Sequence, residues 1–302
     1  MSKLSVVISA FNEEKKIEDC LESASFADEI IFIDNFSTDN TLEIAKKYTS
    51  KIFVTENNPM LNVSKNFGFS KAKNDWIFSL DADERIMDSL KKEIQSIIKN
   101  DKKDVNGFWI PRKNIIFGKW IEHTGWYPDY QLRLFKKGKG KFEEKHVHEM
   151  IKLEGEPGKL VSPIIHYNYE NISQFLQKTL LYTENEADQL IKKGYEFAWQ
   201  DSIRFPAKEF ISRFFVREGY KDGLHGLVLS LLMAFYHLIV FVNIWEKLKF
   251  KQIEDKNLLA NVKEEFVKGD KEVFFWFSKV SIDSTRNPVK KLILKIKNKI
   301  SS

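Results

Sequence analysis

The first third of the chain alternates short, β-branched apolar runs with segments whose apolar residues recur at helical spacing. The apolar runs predict four strands, at residues 4–10, 29–34, 51–56 and 75–83. The segments between them predict three helices, within residues 12–24, 37–48 and 62–73. Strands that alternate with helices form a mostly parallel sheet with helices on both faces. The sequence therefore predicts an α/β fold for this region.

Acidic and amide side chains gather where the predicted strands end. They are Asn12 and Glu13 at the end of the first strand, Asp34 and Asn35 at the end of the second, and Asp81 and Asp83 at the end of the fourth. Ligands of such sheets bind outside the carboxyl ends of the strands. Two carboxylates at one strand end offer hard oxygen ligands for Mg²⁺ or Mn²⁺, although a solvated turn would carry the same residues. No glycine-rich loop follows a strand, which argues against a dinucleotide fold or a P-loop.

The remainder of the chain changes character twice. Residues 106–169 are rich in aromatic, glycine and basic residues, as expected of the far side of a substrate cleft, and a helix is predicted from Ile172 to about Lys193. Leu224–Trp245 is long and apolar enough to span a bilayer, to lie in its interface or to form a core helix. The preceding Phe210, Phe214 and Phe215, with nearby basic residues and a lysine-rich amphipathic tail, favour the interface.

We therefore expect two domains, residues 1–200 and a helical, membrane-associating region at 201–302. The net charge is +5, but no recognisable nucleic-acid-binding fold is present, so nucleic acid is not an expected partner. The only cysteine, Cys20, rules out an internal disulfide and a thiolate zinc cluster. The first apolar run is too short for a signal peptide, so we expect the catalytic part at the cytoplasmic face of the inner or plasma membrane, bound peripherally or through one embedded helix.

Four ordered stretches carry a family resemblance: "SVVISAFNEEKKIEDCLES", "EIIFIDNFSTDNTLEIAKKY", "SKNFGFSKAKNDWIFSLDADERI" and "PDYQLRLFKKGKGKF". Together they resemble the inverting family 2 glycosyltransferases of the GT-A (Rossmann-like) fold, and more narrowly the branch of lipopolysaccharide-core β-glucosyltransferases. The resemblance covers roughly residues 1–170 and continues more weakly to about residue 245.

The resemblance implies roles for residues at matching positions. It places Phe11 and Glu13 at the nucleoside base, Asp34 on the uracil, Asn66 and Lys71 on a helix facing the nucleotide, Asp81 near the ribose and metal, and Asp83 as a direct metal ligand. The chain departs from the family pattern after Asp34, where Asn35 and Phe36 stand in place of a second acid and a glycine.

Further residues are candidates for phosphate binding, base catalysis and metal binding. Arg133 suits a diphosphate because its guanidinium is planar and always charged, although a surface ion pair is the alternative. An inverting transfer needs a general base near the acceptor hydroxyl, and Asp129 is preferred over Glu149 for it. His146 and His148 alternate in "HVHE", and His148 could complete the metal shell or be structural.

These observations together predict a metal-dependent, inverting glycosyltransferase that uses Mg²⁺ or Mn²⁺. Its donor would be a nucleotide sugar, UDP-linked, and its acceptor a membrane-held glycolipid or cell-envelope glycan such as lipopolysaccharide core. A sugar-phosphate nucleotidyltransferase is one alternative, but the basic glycine-rich loop expected after its first strand is missing. A non-catalytic sugar- or lipid-binding protein is the other, and the presence of both Asp81 and Asp83 argues against it.

Overall fold

The computed structural model describes residues 2–56, 61–100, 104–144, 149–285, 287–289 and 291–292. The chain forms two units. The first comprises Met1–Trp120 and Tyr127–Asn168, and the second comprises Ile121–Trp126 and Tyr169–Ser302. The domain boundary predicted at residue 200 therefore falls inside the second unit.

The first unit contains every strand and four helices of the described chain. The strands are β1 (Leu4–Ala10), β2 (Glu29–Asp34), β3 (Ile52–Val54), β4 (Trp76–Asp81), β5 (Glu84–Arg85), β6 (Gly107–Ile116), β7 (Lys119–Trp120), β8 (Asp129–Lys136), β9 (Gly140–Lys141), β10 (Lys152–Leu153), β11 (Pro157–Lys159) and β12 (Ile164–Tyr169). The helices are α1 (Ile17–Ser23), α2 (Thr41–Ala45), α3 (Leu61–Lys71) and α4 (Asp88–Asn100).

The main sheet has the strand order β3-β2-β1-β4-β8-β6-β12-β5. The strands β1 to β4 pair in parallel, as predicted, whereas β8 is antiparallel to both β4 and β6. The sheet is therefore mixed, with a parallel half that comes first in sequence. In the register of that half, Ala10 lies opposite Asp34 and Ser9 opposite Asp81, so the polar strand ends meet at one edge.

Helices cover both faces of the parallel half. Val6 and Ile8 of β1 belong to one apolar core with residues of α1, α2 and α4, while the intervening Val7 belongs to the other core with Phe69 of α3. This alternation follows from the period of two along a strand. Gly68 lets α3 lie close to the sheet, because a Cβ there would stand 2.4 Å from Cγ1 of Val7.

The second unit is helical. Its helices are α5 (Ile172–Lys192), α6 (Asp201–Ile211), which continues as a π-helical segment (Ser212–Val216), a 3₁₀ turn (Gly219–Asp222), α7 (Leu224–Lys247) and α8 (Leu258–Ser284). Ala187 of α5 is buried against Val240 and Ile244 of α7. Because of this packing, α5 belongs with the C-terminal helices. The domain boundary predicted at residue 200 had placed it in the first domain.

Several aromatic and basic residues expected at a membrane surface lie inside this unit instead. Phe215 is 3% exposed and packs against Phe210, Phe214 and Phe277. Arg213 binds Glu209 at 2.5 Å and donates to the carbonyl of Thr124 at 2.9 Å. Phe215, one of the residues predicted to favour the interface, is therefore buried in an aromatic cluster that packs the helices together.

α7 is apolar enough to cross a membrane by length and composition, with a mean hydropathy of 2.3 over its most apolar window. Only 28% of that window is buried, whereas the core helix of a soluble protein is mostly buried. Leu231 and Phe235 are among its exposed apolar side chains. Most of the lysine-rich tail predicted as an amphipathic helix lies outside the described residues.

Candidate active site

Asp81, the last residue of β4, is the centre of a charged cluster at the carboxyl edge. Nζ of Lys65, on α3, lies 2.5 Å from its Oδ1, and Arg133 of β8 donates to its Oδ2. Burial alone would raise the pKa of Asp81, but Arg133 and Lys65 outweigh burial and hold that pKa well below its usual range. Asp81 is thus an anion paired with two cations.

Glu84 is a fully buried second partner of Arg133. One Nη of Arg133 lies 2.6 Å from Glu84 Oε1, and the backbone N–H of Asp81 donates to Oε2 at 3.1 Å. Burial and the nearby Asp81 carboxylate raise the pKa of Glu84 against the opposing effect of Arg133. Because the two acids share one guanidinium, Arg133 is fixed in place and is an internal group rather than half of a surface ion pair.

The cluster continues along β6 and β8. Arg112 and Asp129 face each other across these strands, and the guanidinium donates twice to Asp129 Oδ2, at 2.8 and 2.5 Å. Gln131 donates to Oδ1 at 2.9 Å. Burial acts to raise the pKa of Asp129, but Arg112 and Gln131 prevail and lower it. Asp129 is therefore a firmly oriented carboxylate.

Asn114 and His166 connect this carboxylate to Asp83. Asn114 donates its amide to Asp129 at 3.4 Å, which turns its Oδ1 towards Nδ1 of His166 at 2.6 Å. Since Oδ1 can only accept, Nδ1 carries the proton. Nε2 of His166 then lies 3.3 Å from Oδ2 of Asp83. An imidazole nitrogen and a carboxylate oxygen thus stand side by side at the sheet edge.

The fit of this edge to Mg²⁺ or Mn²⁺ differs between the two aspartates. Both oxygens of Asp81 are already bound by cations, so a metal would have to use its remaining lone pairs. Asp83 lies beside an imidazole, and both are suitable donors to a divalent ion. No cluster of three His, Cys, Asp or Glu side chains fit for a metal occurs among the described residues. His148 lies outside the described residues, and its predicted metal role stays a prediction.

Asp34 ends β2 at the same edge and is 1% exposed. Its Oδ2 accepts from the backbone N–H of Ser37 at 3.1 Å, while its Oδ1 is buried with no hydrogen-bond partner among the described residues. A buried acceptor of this kind is costly unless a ligand satisfies it. Phe11, which directly follows β1, is 38% exposed, and the backbone N–H of the half-buried Glu13 donates to Thr41 at 2.8 Å. The predicted base-contacting residues therefore stand on neighbouring loops.

Lys71 and Asn66 have different surroundings from those predicted. Lys71 ends α3, and its Nζ lies 4.8 Å from the ring centre of Phe67. Two residues later, Lys73 N–H donates to Glu29, the first residue of β2, so this end of α3 lies at the amino edge of the sheet. The structure does not bring Lys71 to the cluster, and Lys65, six residues earlier on α3, binds Asp81 instead.

Asn66 instead binds Phe142 and Glu144, and Glu144 contacts Glu149, the alternative base. Its amide donates to the carbonyl of Phe142 at 2.9 Å and to Glu144 at 2.7 Å, and it accepts from Phe142 N–H at 3.0 Å. Glu149 in turn accepts from the N–H of Glu144 at 2.7 Å. Asn66 is therefore linked to Glu149 through Glu144.

Six residues of the cluster escaped the sequence analysis: Lys65, Glu84, Arg112, Asn114, Gln131 and His166. A signal existed for two of them. Arg112 and Asn114 alternate within a strand and so share a face of the sheet. Nothing in the sequence points to His166, which is brought to Asp83 only by the pairing of β12 with β5.

Comparisons with known proteins find glycosyltransferases among the similar chains. An uncharacterized glycosyltransferase of Rickettsia typhi is 27% identical over 278 residues, which cover 86% of this chain and 91% of that protein. The lipopolysaccharide core biosynthesis glycosyltransferase LpsC of Rhizobium meliloti is 25% identical over 250 residues, covering 81% of this chain and 92% of that protein. Staphylococcus aureus TarS in complex with UDP-GlcNAc is 15% identical, with a TM-score of 0.42 over 84% of this chain and 93% of that structure.

Residues 5–152 match the family model described as Glycosyl transferase family 2. That range includes Asp34, Asp81, Asp83, Asp129 and Arg133. The two relatives that match most of the chain are themselves named as glycosyltransferases. The chain belongs to glycosyl transferase family 2.

Proposed function

We propose that this enzyme transfers a sugar from a UDP-linked donor, with inversion, to a membrane-held glycolipid or cell-envelope glycan such as lipopolysaccharide core. The observation that carries the proposal is the pairing of Lys65 and Arg133 with Asp81 at the same sheet edge as the orphaned oxygen of Asp34. Cations and carboxylates beside a buried acceptor suit a ligand that is anionic at one end and a hydrogen-bond donor at the other.

The leaving group of such a reaction is a nucleoside diphosphate, whose charge must be balanced as it departs. Arg133 and Lys65 supply fixed positive charge, which acts strongly where water is excluded. A divalent cation held by Asp83, with His166 or His148 as a further ligand, would supply Lewis-acid stabilisation of that same charge. In this proposal Arg133 and Lys65 orient the diphosphate, and they keep Asp81 ionised.

For the acceptor side, Asp129 is the proposed general base. Its Oδ1 accepts from Gln131 only among the described contacts, which leaves a lone pair for a hydroxyl proton. The lowered pKa keeps Asp129 ionised and makes it a weak base, which suits a hydroxyl that becomes acidic as the glycosidic bond forms. Glu149 remains the alternative.

A membrane-held acceptor is supported by the second unit. α7 combines a bilayer-spanning length with low burial, and α8 exposes large apolar side chains that include Leu259, Phe266 and Phe274. Apolar surface of this extent on helices favours insertion into the interface. LpsC, named for lipopolysaccharide core biosynthesis, supports an envelope glycan as acceptor.

The proposal is tested by measuring release of nucleoside diphosphate from a panel of nucleotide sugars. The purified full chain is assayed in detergent, with Mg²⁺, Mn²⁺ or chelator, and with or without an envelope glycolipid extract. We expect UDP release that needs both metal and extract. Asp83→Asn should reduce turnover about a hundredfold or more and leave the melting temperature unchanged, because one metal ligand is lost.

Asp270→Asn is the matched control, since Asp270 is exposed on α8. It should retain full activity. Release of pyrophosphate from a nucleoside triphosphate and a sugar phosphate would instead identify a nucleotidyltransferase. Donor binding without turnover on any extract would favour a non-catalytic binding protein. Full activity of Asp83→Asn in the presence of chelator would refute the requirement for a divalent metal ion.

A further inference from the structure

Phe36 has an unusual backbone for a large side chain. Its φ is 66°, in the left-handed region that glycine adopts readily and bulky residues avoid. Its side chain is also 66% exposed, so no apolar packing within the described chain compensates for this conformation.

The residues on either side of Phe36 are held by hydrogen bonds. Asn35 is buried and donates its amide to Ser9 at 2.8 Å and to the carbonyl of Ala10 at 3.0 Å. On the other side, Ser37 accepts from the N–H of Asn12 at 3.0 Å, and its own N–H donates to Asp34. Phe36 is thus held between two fixed residues. Strained residues that are over-determined in this way concentrate at ligand-binding sites.

The second observation is the environment of that ring. Phe36 lies two residues from Asp34, whose Oδ1 is buried with no partner among the described residues. In the register of β1 with β2, Ala10 pairs with Asp34, so the exposed Phe11 and Phe36 follow neighbouring strand ends. A buried, unpartnered hydrogen-bond acceptor at a sheet edge whose two neighbouring loops carry exposed aromatic rings suits a planar heterocycle with an N–H group.

We infer that Phe36 stacks on the base of the donor nucleotide and that its strained backbone is retained for this contact. The inference rests on the proposed function and adds a binding residue to it. The ring would supply contact area that the missing second acid does not, because stacking needs no matched hydrogen bonds and every base offers a flat face. The donor phosphates would be held elsewhere, by Arg133 and Lys65.

The test is a titration of the full chain in detergent with UDP and Mn²⁺, followed by calorimetry. Phe36→Gly should weaken UDP binding about 5- to 150-fold, the usual range for loss of one aromatic–base stack. Inhibition by inorganic pyrophosphate, which has no base, should be unchanged. The melting temperature should not fall, since glycine relieves the left-handed backbone. Phe36→Tyr should bind UDP as the wild type does.

Phe250→Gly is the matched control, because Phe250 has a φ of 53° and is 50% exposed in the second unit. It should leave UDP affinity unchanged. Wild-type UDP affinity in Phe36→Gly, or an equal loss of pyrophosphate inhibition, would overturn the role of Phe36 while the proposed function stands. A wild-type chain that binds no nucleoside diphosphate would overturn both.

Discussion

Nζ of Lys65 lies 2.5 Å from Oδ1 of Asp81, where helix α3 meets the end of strand β4. Both side chains are largely buried, so the pair is screened little by solvent. Asp81, which the resemblance places near the ribose and metal, is therefore already neutralised by the chain's own cations. In the folded protein Asp81 therefore joins α3 and β8 to the end of β4.

This pairing predicts a strong energetic coupling. Lys65→Met should lower the free energy of unfolding by about 1–3 kcal/mol, because it leaves Asp81 with Arg133 alone in a buried setting. In the double variant Lys65→Met/Asp81→Asn the loss should be smaller than the sum of the two single losses by about 1 kcal/mol or more. Urea denaturation without metal measures this cycle, and strictly additive losses would show that the pair contributes nothing.

Glu29, at the opposite edge of the sheet, should account for part of the loss of folding stability at low pH. Ser5 donates to this carboxylate at 2.5 Å, the backbone N–H of Lys73 donates at 3.0 Å, and Lys51 pairs with it. Burial opposes ionisation, but Lys51, Lys73 and Ser5 prevail and lower the pKa of Glu29 from its ordinary value. A depressed pKa means that the contribution is present above the unfolded value and is lost as pH falls through the folded one.

Glu29→Gln should therefore be less stable than the wild type at pH 7, by about 2 kcal/mol for a buried charged group that loses its partners. This difference should shrink as pH falls below about 4.5, because the wild-type carboxylate becomes protonated. Urea midpoints at pH 7, 5 and 3.5 measure it. A difference that stays constant over this range would mean that the ionised form is not favoured by folding.

The effects of Asp129→Asn and Glu149→Gln on turnover distinguish which of the two acids is the general base. Asp129→Asn should lower turnover about a hundredfold with donor affinity little changed, since a general base acts only in the transition state. Because Arg112 and Gln131 keep the pKa of Asp129 low, its titration should produce no acid limb in the pH profile above pH 5. Should Glu149→Gln be inactive and Asp129→Asn active, the two roles are exchanged.

Membrane binding is predicted to depend on the exposed apolar face of α8. Leu259, Phe266 and Phe274 are 85%, 62% and 55% exposed and recur at intervals of seven and eight residues, so they share a helix face. Replacing all three by Ser should weaken binding to anionic vesicles about tenfold or more, because buried apolar area drives interfacial affinity.

Val161→Ser is the control for this prediction, as Val161 is 83% exposed in the first unit. It should sediment with vesicles like the wild type. Release of the wild type by salt would indicate an interfacial helix, and retention in both salt and carbonate would indicate that α7 spans the bilayer. A wild-type chain that needs no detergent and ignores vesicles would refute both.

The sequence predicted the parallel half of the sheet well, because its strands are continuous apolar runs. Leu4–Ala10 and Glu29–Asp34 are found with the predicted bounds, and α5 ends within one residue of its prediction. The helix that bears Lys65 was also predicted, but its register against the sheet was not. Six residues along a helix advance by about 9 Å, which is enough to put Lys71 at the wrong edge.

The cluster around Asp81 was only partly predictable for a different reason. Arg112, Asn114 and His166 reach the cluster from strands that pair antiparallel with strands distant in sequence. No local sequence pattern therefore predicts that these three residues lie near Asp81. The same limitation applies to the second unit. Basic and aromatic residues near Phe215 looked like a membrane surface, whereas Arg213 and Arg204 are bound to Glu209 and Glu265 within the helices.

The short segment Ile121–Trp126 has a consequence for how the protein is made. Its residues Glu122, His123 and Thr124 donate hydrogen bonds to the carboxylate of Asp222, which follows His123 by 99 residues. At about 5–20 residues per second, a ribosome needs about 5–20 s to reach that aspartate. The segment therefore leaves the ribosome long before its partner exists, and the rest of the first unit follows it. Because the chain enters the second unit, leaves it and enters it again, no single cut separates the two units. A truncation anywhere before Asp222 would leave Ile121–Trp126 without the carboxylate that Glu122, His123 and Thr124 bind.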